Sequence, residues 1–409
     1  MIALVNKSPS LETSAPPLRF EMAGKESRDG RFTLDGSDDL EEHLAQTCEN
    51  VLAGIRALVP AKRLEAILLG GGYGRGEGGV LKTASGDQPY NDLEYYVCLR
   101  GPVWLNERRY GPAVHELGRR LSSDAGVDVE LKIFSLAKLR YRPINMFYYD
   151  LVLGHRWVLG DECLLQGCAH HRDERDLPLS EAAHLLMNRC SGLLFAREKL
   201  LHRPFTAAEA DFVGRNLAKA QLAFGDVVLT ATGQYHWSCR ERRDRLKRFI
   251  LPGDLPWLEE VQKQHAAGIH FKLHPERTMA GASTLEARHA QLTTLALQTW
   301  LWLESHRLHY PFASARDYAL SRIDKCPETN AWRNRLINLK VFGPMALTSL
   351  KGGVNPRVRL LHALSLLLFE PGVSNEPSLL NRVQRELATT ATTFVGLVSA
   401  YKSIWTKFN

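Results

Sequence analysis

Cysteine is scarce and scattered: seven in 409 residues, an odd number without the spacing of a disulfide framework. That excludes a small disulfide-stapled fold and fits a reducing compartment. No apolar run reaches the roughly 20 residues of a membrane-spanning helix. The opening stretch MIALVNKSPSLETSAPP has too short an apolar run for a secretory signal. A cytoplasmic protein without a membrane partner is therefore expected. Also missing are the Gly-Lys-Ser/Thr end of a phosphate-binding P-loop and a clean strand–helix–strand context for a dinucleotide fingerprint. Cys163, Cys168, His170 and His171 in CLLQGCAHH lack the paired spacing of a zinc site. Aromatic and basic residues are not interleaved as in RNA-reading surfaces.

What is present suits a globular chain of two or three domains, since 44% of residues are hydrophobic. The formal charge is +7. A basic balance suits an anionic ligand, a nucleotide or a nucleic acid, without choosing between them. The excess is sharpest at Arg240 to Arg248, RERRDRLKR. Its charges would spread around most of a helix, so a solvated face is the reading taken.

The chemistry concentrates between Leu68 and Leu99, LLGGGYGRGEGGVLKTASGDQPYNDLEYYVCL. An apolar strand, Glu65 to Leu69, empties into a glycine-rich turn. Glycines tolerate close approaches that a Cβ forbids, so the N–H groups of Gly71 and Gly72 can converge on phosphate oxygens, with a helix expected behind them. A second strand follows, in which Asp92-Leu93-Glu94 points both carboxylates to one face, as two hard-oxygen ligands of Mg²⁺ require. A third strand, Gly126 to Phe134, puts Asp128, Glu130 and Lys132 on one face and Val127, Val129, Leu131 and Ile133 on the other.

The order G-G-Y-G-R-G-E, then N-D-L-E, resembles the nucleotidyltransferase superfamily of DNA polymerase β type. Gly71 and Gly72 match its Gly-Ser pair, and Asp92 and Glu94 its Asp-x-Asp or Asp-x-Glu. Val80 to Tyr90 would be an inserted loop. A closer likeness is to kanamycin nucleotidyltransferase-like members, which use the Asp-x-Glu form and carry a third carboxylate in a Val-Glu-Val strand. Glu130 matches that position best, and Asp128 competes with it. The resemblance implies an α/β nucleotidyltransferase domain with a polymerase β palm, followed by an all-α helical region.

The corresponding division is a flexible tail over 1–36, a catalytic domain over 37–160, a helical domain over 161–251 packing on the active site, and a second helical domain over 252–409. Ser37 reads as the N-cap of a first helix carrying Leu40, Leu44, Val51, Leu52 and Ile55. Ser180 reads as the cap of a helical run, and Thr206 to Glu209 as a capping box. The helix after Thr206 is apolar nearly all round, so Arg215, Lys219 and Asp226 on one stripe of it must be paired or used. Lys219 would touch a phosphate, or else Lys219 or Arg215 would pair with Asp226. Tyr235 would stack on a base. Asp150 reads as a structural cap or a site residue, and the structural role is preferred. Where the kanamycin enzyme has a glutamate base, this chain offers Asn188 and Arg189, so aminoglycoside transfer is not carried over.

The function the resemblance implies is transfer of a nucleoside monophosphate from a triphosphate, ATP by expectation, to an unidentified hydroxyl or phosphate acceptor. Asp92, Glu94 and Glu130, with Asp128 as the alternative, would hold two Mg²⁺ or Mn²⁺ ions. Gly71, Gly72 and Arg75 would hold the phosphates, unless Arg75 only caps the turn by pairing with Glu77. The rivals are an RNA-directed transferase of the tRNA or poly(A) type, with nucleic acid a disfavoured partner, and a catalytically silent nucleotide-binding or toxin–antitoxin-type partner.

Overall fold

A computed structural model describes residues 30–250, 255–343 and 353–408. The tail expected over 1–36 lies outside them as far as residue 29. From Gly30 on, the chain is tied down: Phe32 and Thr33 are buried, and Glu41 accepts the N–H groups of both.

The N-terminal part is a small mixed sheet with helices on its faces. Its first helix, α1 (Asp38–Leu58), starts where Ser37 accepts the Leu40 N–H, with Asp38, Asp39 and Glu41 in the first turn. Leu40, Leu44, Val51 and Ile55 recur at helical spacing and are buried. Strand β1 (Leu64–Leu69) runs into the glycine corner, where α2 (Gly71–Gly74) is a single turn rather than the longer helix expected. The expected loop at Val80 to Tyr90 is instead a hairpin of β2 (Val80–Thr83) and β3 (Gly86–Pro89). Then come β4 (Leu93–Leu99), α3 (Val103–Ala125) and β5 (Val129–Phe134), followed by α4 (Leu136–Tyr141), α5 (Met146–Leu153) and β6 (Arg156–Leu159).

The four-stranded sheet has the order β5-β4-β1-β6. β4 and β5 are parallel and the other pairs antiparallel. A parallel pair needs a crossover, which α3 supplies. One sheet face buries Ile67, Leu69, Tyr95, Val97, Leu99 and Ile133 with residues of α1 and α3. The other buries Ala66, Leu68, Tyr96 and Cys98 with residues of α4, α5 and the 162–171 segment.

The remainder is helical: α6 (Leu179–Leu200), α7 (Ala207–Ala231), α8 (Cys239–Lys247), α9 (Leu258–Leu273), α10 (Ala282–Leu308), α11 (Ala315–Leu320), α12 (Ala331–Phe342), α13 (Pro356–Phe369), α14 (Pro377–Leu387) and α15 (Phe394–Trp405). The capping box forms at Thr206 and Glu209, but Pro178 rather than Ser180 caps α6. Apolar residues from Tyr149 to Ile404 form one core, so the helices on both sides of residue 252 share a single interior instead of splitting there. Among the described residues no helix is long and apolar enough to cross a membrane.

A buried polar chain ties the helical part to the sheet. Arg75 pairs with Asp150 at 3.0 Å, and the Tyr235 hydroxyl donates to the same carboxylate at 3.2 Å. Arg242 donates to the Tyr235 hydroxyl at 2.5 Å and pairs with Asp226 at 3.0 Å, as His265 does. Beside it, Glu77 accepts from the Ser238 hydroxyl and the Cys239 N–H, capping α8 with a residue from the glycine corner. Arg242 is therefore no part of a solvated face, although Arg240, Arg243, Lys247 and Arg248 are exposed.

Removing one partner of a buried ion pair leaves the other charge stranded, at about 3–5 kcal/mol. Asp226→Ala should lower the unfolding free energy by that order, read from the urea midpoint. Burial pushes against ionised Asp226 and Glu77. Arg242 and His265 outweigh it at Asp226, and Ser238 and the Cys239 amide at Glu77, so both carboxyls sit below their ordinary values of 3.8 and 4.5. Lowered carboxyls stabilise above their unfolded values and lose that stabilisation as pH falls through the folded ones. Stability should decline as pH drops below 4.5, and Glu77→Gln should flatten the first part of that decline.

Candidate functional site

The corner after β1 is shaped by two glycines. Gly71 has φ of +62°, a left-handed conformation, and a Cβ there would sit 3.2 Å from Glu94 Oε2. A Cβ on Gly74 would lie 2.1 Å from the Leu69 carbonyl oxygen, so no larger residue fits. Buried Tyr73 braces the corner, donating to the Gly79 carbonyl and accepting the Tyr90 N–H. Among the described residues nothing accepts the N–H of Gly71 or Gly72. The corner thus lies directly against Glu94.

The β4–β5 register puts Leu93 beside Val129 and Glu94 beside Glu130, with the Leu93 N–H donating to the Asp128 carbonyl at 2.8 Å. Asp92 and Asp128 immediately precede these strands and are exposed. Partial desolvation holds the Asp92 carboxyl above its ordinary value. The like charges of Glu130, Asp128 and Glu94 add to this, and Lys219 opposes it. The other three carboxylates therefore all act on Asp92, but the four do not converge equally. Lys132 pairs with Glu130 at 2.5 Å and with Glu94 at 3.6 Å, and the Tyr96 hydroxyl donates to Glu94 at 3.4 Å. Partial burial disfavours the Lys132 charge, but Glu130 and Glu94 more than offset it and hold the ammonium above its ordinary value.

The all-oxygen, anionic donor set of Asp92 and Glu94 suits a hard divalent cation in kind. In placement, no group of three or more His, Cys, Asp or Glu side chains gathers for a metal among the described residues. Glu130 is taken up by Lys132. The site is open: the Glu94, Glu130 and Lys132 side chains are 35%, 43% and 47% exposed. Four surface cavities of about 350 to 820 Å³ are lined by none of these residues.

Lys219, on α7, acts on Asp92 through its charge. It is exposed and makes no ion pair among the described residues. Burial, then Arg189 and Arg215, lower its pKa, while Asp92 raises it. Neither internal pair expected on this helix forms. Arg215 pairs with Asp211 at 3.1 Å, and Asp226 pairs with Arg242 and His265. Asp226 lies seven residues, about two turns, after Lys219, so its anchor orients the face that carries Lys219.

Two sequence-predicted site residues fall elsewhere. The Tyr235 ring is buried under the Arg242 guanidinium, 4.8 Å away, with its hydroxyl in the polar chain, so it has no free face for a base. The Arg75 side chain is 8% exposed and turned to Asp150, and Glu77 caps α8 instead of pairing with it. Sequence reasoning missed Lys132 as an occupant of the site. Its place in phase with Glu130 was visible, but its neighbour Glu94 required the strand pairing.

Gly71→Ala should cost about 1–2 kcal/mol, the penalty of a left-handed L-residue, with crowding of Glu94 added. Thermal denaturation checks this, and an unchanged midpoint would mean that the corner is not held in this conformation.

Compared with protein families, characterised proteins and solved structures, the chain matches none of them.

Proposed function

We propose that the chain is a nucleotidyltransferase that moves a nucleoside monophosphate from a triphosphate, ATP in the first instance, to a hydroxyl or phosphate acceptor. One observation carries the reading: Asp92-x-Glu94 lies in level parallel register with Asp128-x-Glu130, directly against the glycine corner. The element order supports it too, running from strand through glycine corner, acidic strand and helix to a second acidic strand in one mixed sheet. That is the order of a polymerase β-type palm.

In this reading Asp92 and Glu94 hold Mg²⁺ or Mn²⁺, whose chemistry when bound is to neutralise the triphosphate and the charge developing in an in-line displacement. The free N–H groups of Gly71 and Gly72 orient phosphate oxygens. Lys219, whose charge acts on Asp92, binds triphosphate charge. The fixed corner keeps these donors from reorganising during reaction. Arg75 and Tyr235 act at a distance, by fixing the helical part against the sheet.

One observation favours a second reading, a nucleotide-binding module without turnover: Lys132 already fills the gap between Glu94 and Glu130.

Pyrophosphate release from ATP and Mg²⁺ with candidate acceptors tests the proposal. Asp92→Asn should lower it at least about 100-fold with the fold intact by circular dichroism, a loss of the size typical for a key electrostatic group. Full retention would defeat the assignment, and saturable nucleotide binding with no product would select the binding module. Only ionised Asp92 binds a cation, so turnover should fall as pH drops through its raised pKa. Lys219→Met removes the opposing positive charge and should shift that acid limb to higher pH.

A further inference from the structure

Parallel neighbours in register lie about 4.8 Å apart, so Glu94 and Glu130 on one face repel unless a cation stands between them. In a metal-dependent site that cation would be a divalent ion. Here it is a side chain. Lys132 follows Glu130 by two residues, which returns it to the same face, and its ammonium contacts Glu130 Oε2 at 2.5 Å and Glu94 Oε1 at 3.6 Å. The Tyr96 ring lies 5.9 Å from the ammonium, and its hydroxyl donates to Glu94.

An ammonium held by two carboxylates occupies the position of a divalent ion bridging the same pair, with the same oxygen donors. It carries one positive charge instead of two and is tethered to the strand, so it is always present. Asp92 lies outside this contact and keeps its oxygens for a ligand. We propose that Lys132 is a resident cation in place of one of the two expected metal ions, and that the site takes a single divalent ion, on Asp92 and Glu94. This rests on the transferase reading above, but it fails separately from it.

Mn²⁺ alone, titrated into the full chain and counted by electron paramagnetic resonance, tests the proposal. The wild type should bind one ion per chain and Lys132→Met two. Lys132→Arg, which keeps the charge, should stay at one. Asp92→Asn should remove one ion from either background, which identifies the shared site. Lys132 is 47% exposed, and circular dichroism checks that each variant keeps the fold. Two ions on the wild type, or one on Lys132→Met, would overturn the role of Lys132 and leave the transferase reading standing. No ion on the wild type at millimolar Mn²⁺ would overturn both.

Discussion

Four carboxylates side by side at the ends of two parallel strands are the constraint from which the rest follows. Like charges at that spacing disfavour the folded sheet unless something positive is supplied. The chain supplies it in two ways: Lys132 sits between Glu94 and Glu130 on the sheet, and Lys219 of the helical part acts on Asp92 through its charge. Asp92 is left without an ion-pair partner among the described residues, and the proposed cation and nucleotide are built on that remaining charge.

Holding Lys219 in that position is the work of the buried polar chain. Exposed ion pairs contribute little, with a median of roughly 0–1 kcal/mol, but the Arg242–Asp226 pair is buried and shares its members with His265 and Tyr235. Glu77, three residues beyond Gly74, caps α8 of the helical part. The glycine corner thus shapes the site on one side and docks the helices on the other.

Much of the N-terminal architecture was legible because it is local. A cap at Ser37 followed by helical spacing, an apolar run into glycines and alternation in Val129–Phe134 each depend on neighbours within a few residues. The capping box at Thr206 was legible for the same reason. The mistaken expectations share the opposite cause. Tyr235 next to a helix end looks like a platform, but Asp150 from a distant segment and Arg242 from the helix that follows enclose it. Arg75 looked like a phosphate ligand or else a partner of nearby Glu77, but each residue found a longer-range partner that satisfies it better in the interior. Of the stripe of Arg215, Lys219 and Asp226, expected as buried charge, only Asp226 is buried; α8 and α9 decided its pairing, while Arg215 pairs with Asp211 on its own helix. A division at residue 252 followed the Pro-Gly-Asp-Leu-Pro punctuation, which marks a turn but says nothing about which faces the flanking helices share.

By itself the sequence determined the periods: which residues fall on one face of β4 and β5, where the helices start, and that a glycine corner precedes an Asp-x-Glu strand. These follow from side-chain alternation and backbone freedom, which are properties of short segments. Only the tertiary structure decided that the two acidic strands run parallel and level, that Lys132 faces Glu94 as well as Glu130, and that the charge of Lys219 acts on Asp92. Strand register and helix docking are settled by burial and charge pairing across hundreds of residues, and no local pattern encodes them.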